Sequence, residues 1–166
     1  TWVSQVDDMI LRFIPEGTFQ MGEDADRSYV QCQLLLEPFY TSNCSWNWFT
    51  DEEPVHTVML EAFWMDQTEV TNAMYARCVT AGVCSPPHDM RSYSRSSYYG
   101  NTSFADYPVI NVDWIQAVAY CEWAGRQIPT EAQWEYAARG GLAEALYPWG
   151  NSFDSHLANF CDVNCP

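Results

Sequence analysis

The chain has 166 residues, enough for one domain with a real hydrophobic core, and its 48% apolar content excludes a disordered segment. Seven basic residues against 22 acidic ones give a formal net charge of −15, a field that repels a phosphate backbone and argues against a nucleic-acid partner; cations or a basic protein surface fit it, as does the plain solubility of a secreted protein. No run approaches the ~20 consecutive apolar residues of a membrane helix, and Thr1 opens no secretory leader, so any targeting segment is expected to have been removed or to lie outside this chain.

Residues 9–14 and 18–21 are apolar-rich runs on either side of Pro15, Glu16 and Gly17. That turn chemistry predicts a hairpin of two strands. A long excursion follows over 22–54, acidic at both ends (Glu23, Asp24 and Asp26, then Asp51, Glu52 and Glu53). A structureless loop of that length is unusual in a compact domain. Cys32, Cys44 and the run Leu34, Leu35, Leu36 point to a pinned and partly packed segment, with a mobile flap as the alternative. A bridge closing that loop contributes about 3 kcal/mol in the chain-entropy account.

Residues 56–66 alternate, with Val58, Leu60, Ala62 and Trp64 on one face, which predicts a single strand. A helix is expected from Asn72 to about Val79, capped by Thr71 and stopped at Gly82. Cys78 and Cys84 are placed to staple its end to its exit loop. The stretch 85–106 is rich in Ser, Tyr, Pro and Asn. It can present a recognition face, or lay Tyr93, Tyr98 and Tyr99 flat on the domain. Asn43 and Asn101 each open a glycosylation triplet, which matters only in a eukaryotic secretory path.

Residues 107–150 carry two compact helices with written starts and stops. Asp113 with Gln116 forms a capping box for the first, and Gly125 follows its end; Thr130 with Gln133 repeats the box for the second, and Gly140 closes it. Trp114, Trp123, Trp134 and Trp149 are assigned to core or helix-to-sheet packing. Glu131 and Glu135 sit where carboxylates favour the helix dipole, so they are not nominated as an acid/base pair.

The seven cysteines are many for a reducing cytosol. Cys32 with Cys44, Cys78 with Cys84 and Cys161 with Cys165 are near pairs that enclose loop-like segments, which favours disulfides and leaves Cys121 over. Zinc ranks below disulfides, because no pair has knuckle spacing and His56, His88 and His156 are scattered. Near the end, Asn159, Asp162 and Asn164 offer oxygen donors of the kind calcium prefers, and are equally ordinary turn residues.

Five stretches together resemble the formylglycine-generating enzyme, or sulfatase-modifying factor, family: IPEGTFQMG (14–22), EEPVHTVMLEAFWMDQTEVTNAMYARCV (52–79), YPVINVDWIQAVAYCEWAGRQIPTEAQWEYAARGG (107–141), YPWGN (147–151) and AN (158–159). They stand in family order and span most of the chain. The resemblance implies an α+β fold, an elaborated relative of the C-type lectin domain with short antiparallel sheets, a few helices and long disulfide-pinned loops. It implies a single domain over 1–166 without its carboxy-terminal part. The family's oxidase chemistry uses two cysteines that hold copper(I), placed after a Gly-Asn-Val-x-Glu-Trp motif, and soft thiolate ligation suits that ion. None of the seven cysteines here matches those positions, so no catalytic or cofactor-binding residue is assigned, and copper enters only with a carboxy-terminal cysteine pair.

The resemblance also places Asn159 and the backbone of Phe160 at the start of a structural calcium site. It matches Cys121 to a cysteine that bridges to one near the domain's end; a buried free thiol is the other reading. Two functions follow. The first is a non-catalytic extracytoplasmic binding or assembly module (secreted, periplasmic or at the cell surface), engaging a protein partner or a larger, even membrane-associated, complex. The alternative is the amino-terminal part of a copper- and oxygen-dependent oxidase that converts a sulfatase cysteine to formylglycine.

Overall fold

A computed structural model describes residues 1–36, 44–142, 145–154 and 156–157. The chain is α+β, with short antiparallel sheets and four α-helices among the described residues. It divides into two compact units, Thr1–Pro15 with Ala62–Thr130, and Glu16–Glu61 with Glu131–Pro166. No helix among the described residues is long and apolar enough to cross a membrane.

In the first unit, strands β1 (Trp2–Val3), β2 (Ile10–Ile14) and β5 (Phe63–Asp66) form an antiparallel sheet in the order β1-β2-β5. In the second, β3 (Gly17–Met21) pairs antiparallel with β4 (His56–Leu60), Phe19 opposite Val58. The hairpin expected around Pro15 is therefore absent: β2 and β3 belong to different sheets. The hairpin near the amino terminus is β1 with β2, closed by the turn 4–9 in which Ser4 N–H donates to the Met9 carbonyl. The single strand expected over 56–66 is likewise two, since β4 joins β3 while β5 joins β2. The break at Glu61 and Ala62 shifts the inward phase by one residue, from Val58 and Leu60 to Phe63 and Met65. Trp64 consequently faces out, edge-on to its cross-strand partner Phe13 with ring centroids 5.3 Å apart.

Helix α2 (Asn72–Thr80) starts as expected, with Thr71 Oγ1 accepting from the Met74 amide at 3.3 Å. Replacing Thr71 by alanine orphans that amide and is expected to cost about 1 kcal/mol, read as a fall in urea midpoint at constant slope. The buried face of α2 carries Asn72, Tyr75 and Cys78, and Tyr75 stacks on Tyr120 of α3 (Trp114–Trp123) at 5.6 Å. Around this pair lies the unit's core, with Cys84 and Ala124.

Helix α3 has the full capping box, Asp113 accepting from the Gln116 amide at 2.8 Å and the Gln116 side chain accepting from the Asp113 amide at 3.0 Å. Gln116 is buried, and its Nε2 donates to Ser85 Oγ at 2.9 Å and to the Pro86 carbonyl at 2.8 Å. With Tyr120 one turn on, it sets which side of α3 faces inward. Apolar residues all round this helix conceal that phase in the sequence. Trp114 and Ile115 are each 72% exposed, so the core assignment fails for Trp114. It fails also for Trp134, 62% exposed on α4 (Glu131–Arg139) of the second unit, whereas Trp123 and Trp149 are half-buried.

The excursion 22–54 contains a helix, α1 (Ala25–Leu36), that composition did not announce. Asp24 caps it by accepting from the Arg27 amide at 2.9 Å, and Glu53 accepts from the Ala25 amide at 3.2 Å. Leu34 is exposed, and two short 3-10 turns, Trp46–Trp48 and Thr50–Glu52, follow. Helix α4 packs on β3 through Phe19 and Tyr136, whose rings lie 5.3 Å apart.

Candidate functional site

Two of the three expected disulfides lie among the described residues. Cys32–Cys44 and Cys78–Cys84 are bonded, with Cα–Cα separations of 6.1 and 5.3 Å. The third pair, Cys161 with Cys165, lies outside the described residues, as do the calcium candidates Asn159 and Phe160. Cys121 is a half-buried free thiol. Burial, and then the nearby carboxylates of Asp66 and Asp7, raise its pKa against the opposing pull of Arg126. Such a thiol stays protonated and is a weak nucleophile.

Around Cys121 lies a charged cluster that the sequence reading did not find. Asp7 is fully buried in the β1–β2 turn and meets Arg126, which follows α3. Arg126 donates to Asp7 through Nη1 at 3.2 Å and Nη2 at 2.5 Å, and Tyr120 Oη donates to the same carboxylate at 2.5 Å. The Arg126 Nε lies 3.1 Å from Asp66 Oδ1 as an ion pair without hydrogen-bond alignment. Burial alone would raise the Asp7 carboxyl; hydrogen bonds from Arg126, Ser4 and Tyr120 outweigh it and hold the group well below the usual carboxylate range. Asp66 moves the other way, raised by burial. Every ionisable member is engaged by another, so the cluster reads as a structural pin. Its one signal in the sequence is the scarcity of cations, all seven of them arginine.

In the second unit, α4 clamps the turn after β3. Glu135 accepts from the Gly22 amide at 3.1 Å, and Arg139 donates to the Gly22 carbonyl at 3.0 Å while bonding Glu135 at 2.8 Å. The carboxylate of Glu135, expected only to favour the helix dipole, thus holds a loop. Beside this clamp is an open, mostly apolar groove of about 720 Å³, walled by Phe49, Trp134, Leu146 and Tyr147 and bordered by Glu23, Glu52 and Glu131. Glu52 has its carboxyl raised by burial and then by the charges of Glu135, Asp51 and Glu131.

The three histidines stay apart in function. His56 Nδ1 is 2.9 Å from the Pro54 carbonyl, His88 Nε2 is 2.9 Å from Asp113 Oδ2, and His156 Nδ1 is 3.1 Å from Asp154 Oδ1. No group of three or more His, Cys, Asp or Glu side chains is arranged to hold a metal among the described residues. The tyrosine loop divides: Tyr98 is buried with its hydroxyl donating to the Pro108 carbonyl at 2.7 Å, Tyr99 packs edge-on to Tyr75, and Tyr93 is 87% exposed. Tyr93 stands over a polar pocket shared with Arg91, Arg95 and Asn111.

The sulfatase-modifying factor enzyme 1-like domain matches residues 2–164. The chain belongs to this family. The one family match runs through both compact units. The chain is 30% identical over 185 aligned residues to the formylglycine-generating enzyme of Thermomonospora curvata, covering 90% of this chain and 55% of that protein. To the enzyme of the same name from Streptomyces coelicolor it is 37% identical over 135 residues, covering 60% and 43%. A family member named inactive C-alpha-formylglycine-generating enzyme 2, from Bos taurus, is 52% identical over 61 residues, covering 37% and 20%. The chain thus spans about half the length, or less, of these relatives. Among solved structures, PvdO from Pseudomonas aeruginosa shares the fold with a TM-score of 0.56 at 22% identity, over 86% of this chain and 51% of that one.

Proposed function

We propose that this chain is a non-catalytic, extracytoplasmic binding or assembly module on the sulfatase-modifying factor scaffold. The observation that carries this is the state of the thiols. Among the described residues four cysteines are consumed in disulfides, and Cys121 faces carboxylates and an arginine with its pKa raised. A lone protonated thiol does not fit copper(I), which takes soft thiolate donors. The two disulfides suit an oxidising compartment, and the −15 net charge suits a basic protein partner. The family's scaffold is found both in proteins named for the enzyme and in one named inactive, so scaffold and chemistry separate. Calcium would enter at Asn159 and Phe160, by the family likeness alone.

The oxidase reading is favoured by one finding, the match to the Thermomonospora curvata enzyme over 90% of this chain. In that case a cysteine pair beyond these residues would hold copper(I), which would activate oxygen, and this chain would supply the scaffold. The intact protein, incubated with copper(I), oxygen, a thiol reductant to supply the two further electrons and a peptide bearing a sulfatase cysteine, separates the two. We expect mass spectrometry to show the peptide cysteine unchanged. Copper-dependent conversion of that cysteine to the aldehyde would establish the oxidase in place of the module.

A further inference from the structure

We propose that the groove beside α4 docks a basic segment of a partner protein, an arginine or lysine side chain lying against Trp134 and meeting Glu52 and Glu131. The proposal rests on the binding-module reading and names its site and the chemistry of its partner.

The argument begins with the accounting of charge around the groove. Glu23 is neutralised by Arg27 at 3.3 Å, and Glu135 by Arg139. Glu52 and Glu131 form no ion pair among the described residues, and the charges of Glu135, Asp51 and Glu131 disfavour the Glu52 carboxylate, with only the charge of Arg139 opposing them. The dipole of α4 supports Glu131 in its first turn but does nothing for Glu52. A guanidinium or ammonium entering the groove relieves that repulsion. Trp134 lines the groove on the same face of α4 as Glu131, and its exposed indole offers the ring face that binds cations best. Phe49, Leu146 and Tyr147 provide apolar wall for the stem of a long side chain. The volume matches a side chain with its flanking backbone, within the range of small-ligand sites. The chain contains no lysine, and five of its seven arginines already hold carboxylates, so the cation comes most readily from another protein.

The test uses the intact protein and a fluorescein-labelled peptide of alternating glycine and arginine, followed by anisotropy at low salt. Its control replaces arginine with citrulline, which keeps the shape and removes the charge. The expected result is binding of the arginine peptide, weakened about tenfold or more in the E52Q/E131Q double variant and about threefold or more in W134A. Because Trp134 is exposed, both variants are expected to keep the wild-type circular dichroism; W134F serves if W134A does not. The proposal is overturned if the arginine peptide does not bind, if both variants bind it as wild type does, or if the citrulline peptide binds equally well. It is overturned also if sedimentation shows a dimer that W134A dissolves, which would make the occupant a second copy of this chain. Aldehyde formation in the oxidase assay with peptide binding intact removes the module reading and leaves the groove. Absence of both removes the groove alone.

Discussion

Replacing Arg126 by methionine is expected to destabilise the protein by about 3–5 kcal/mol, the range for removing one partner of a buried ion pair. Asp7 is buried and takes both guanidinium nitrogens together with the Tyr120 hydroxyl. Without the guanidinium, its charge has one hydroxyl and a local turn for company. Asp66 loses its counter-ion as well. Methionine keeps much of the side chain's length, so the loss is electrostatic rather than a cavity. The double variant Asp7→Asn with Arg126→Met removes the orphaned charge and should be more stable than Arg126→Met alone. Urea denaturation of the wild type, both single variants and the double variant checks this, and a double variant no more stable than Arg126→Met would show that an orphaned Asp7 charge is not the source of the loss.

The same cluster sets a pH dependence. The Asp7 carboxyl is held below its unfolded range, so its stabilisation is complete above the unfolded value of about 4 and fades as pH falls towards the folded one. Asp66 has the opposite sign: its raised pKa makes ionisation unfavourable on folding, and acidification relieves that. Without Arg126 both carboxyls are shifted upward, and protonation helps the variant. The stability gap between wild type and Arg126→Met is therefore expected to be widest at neutral pH and to narrow as pH falls towards about 4 and the variant's carboxyls take up protons. Below about 4 it narrows further, as wild-type Asp7 loses its stabilisation. A gap that stays constant to pH 3 would count against Asp7 as the charged partner.

Gly22→Ala is the other large effect, expected at roughly 2–5 kcal/mol from a left-handed non-glycine residue plus overpacking. Gly22 has φ +90°, and a Cβ there runs into the backbone carbonyl oxygen of Glu52. Backbone cannot swing aside as a flexible side chain can. The turn must shift, and with it the hydrogen bonds that Glu135 and Arg139 make to the Gly22 amide and carbonyl. Because Glu52 borders the groove, arginine-peptide binding should weaken along with stability. Gly125→Ala is the control: its φ is +72°, but no atom lies where its Cβ would go. It should show the conformational cost alone, about 1–2 kcal/mol.

Part of the local grammar was legible in the sequence. Thr71, Asp113 and Gln116 were read as caps, and they are, because a cap is a contract between residues three apart. Two disulfides were read correctly from short spacing for the same reason. The family was legible because its motifs are long and ordered, and the match over 2–164 bears that out. What required the tertiary structure was everything decided by a distant partner. Strand pairing is one case: an alternating run from 56 to 66 looks like one strand until β2 and β3 claim its two halves for different sheets. Helix phase is another: buried Gln116, not hydrophobicity, turned Trp114 to solvent. The Asp7–Arg126 pin joins residues more than a hundred positions apart, and no local pattern encodes which arginine meets which carboxylate. Sequence alone thus determined the family, the caps and the covalent staples, while only the three-dimensional packing decided the sheets, the buried charges and the groove, since those depend on contacts whose free energy exists only once the chain has closed its long loops.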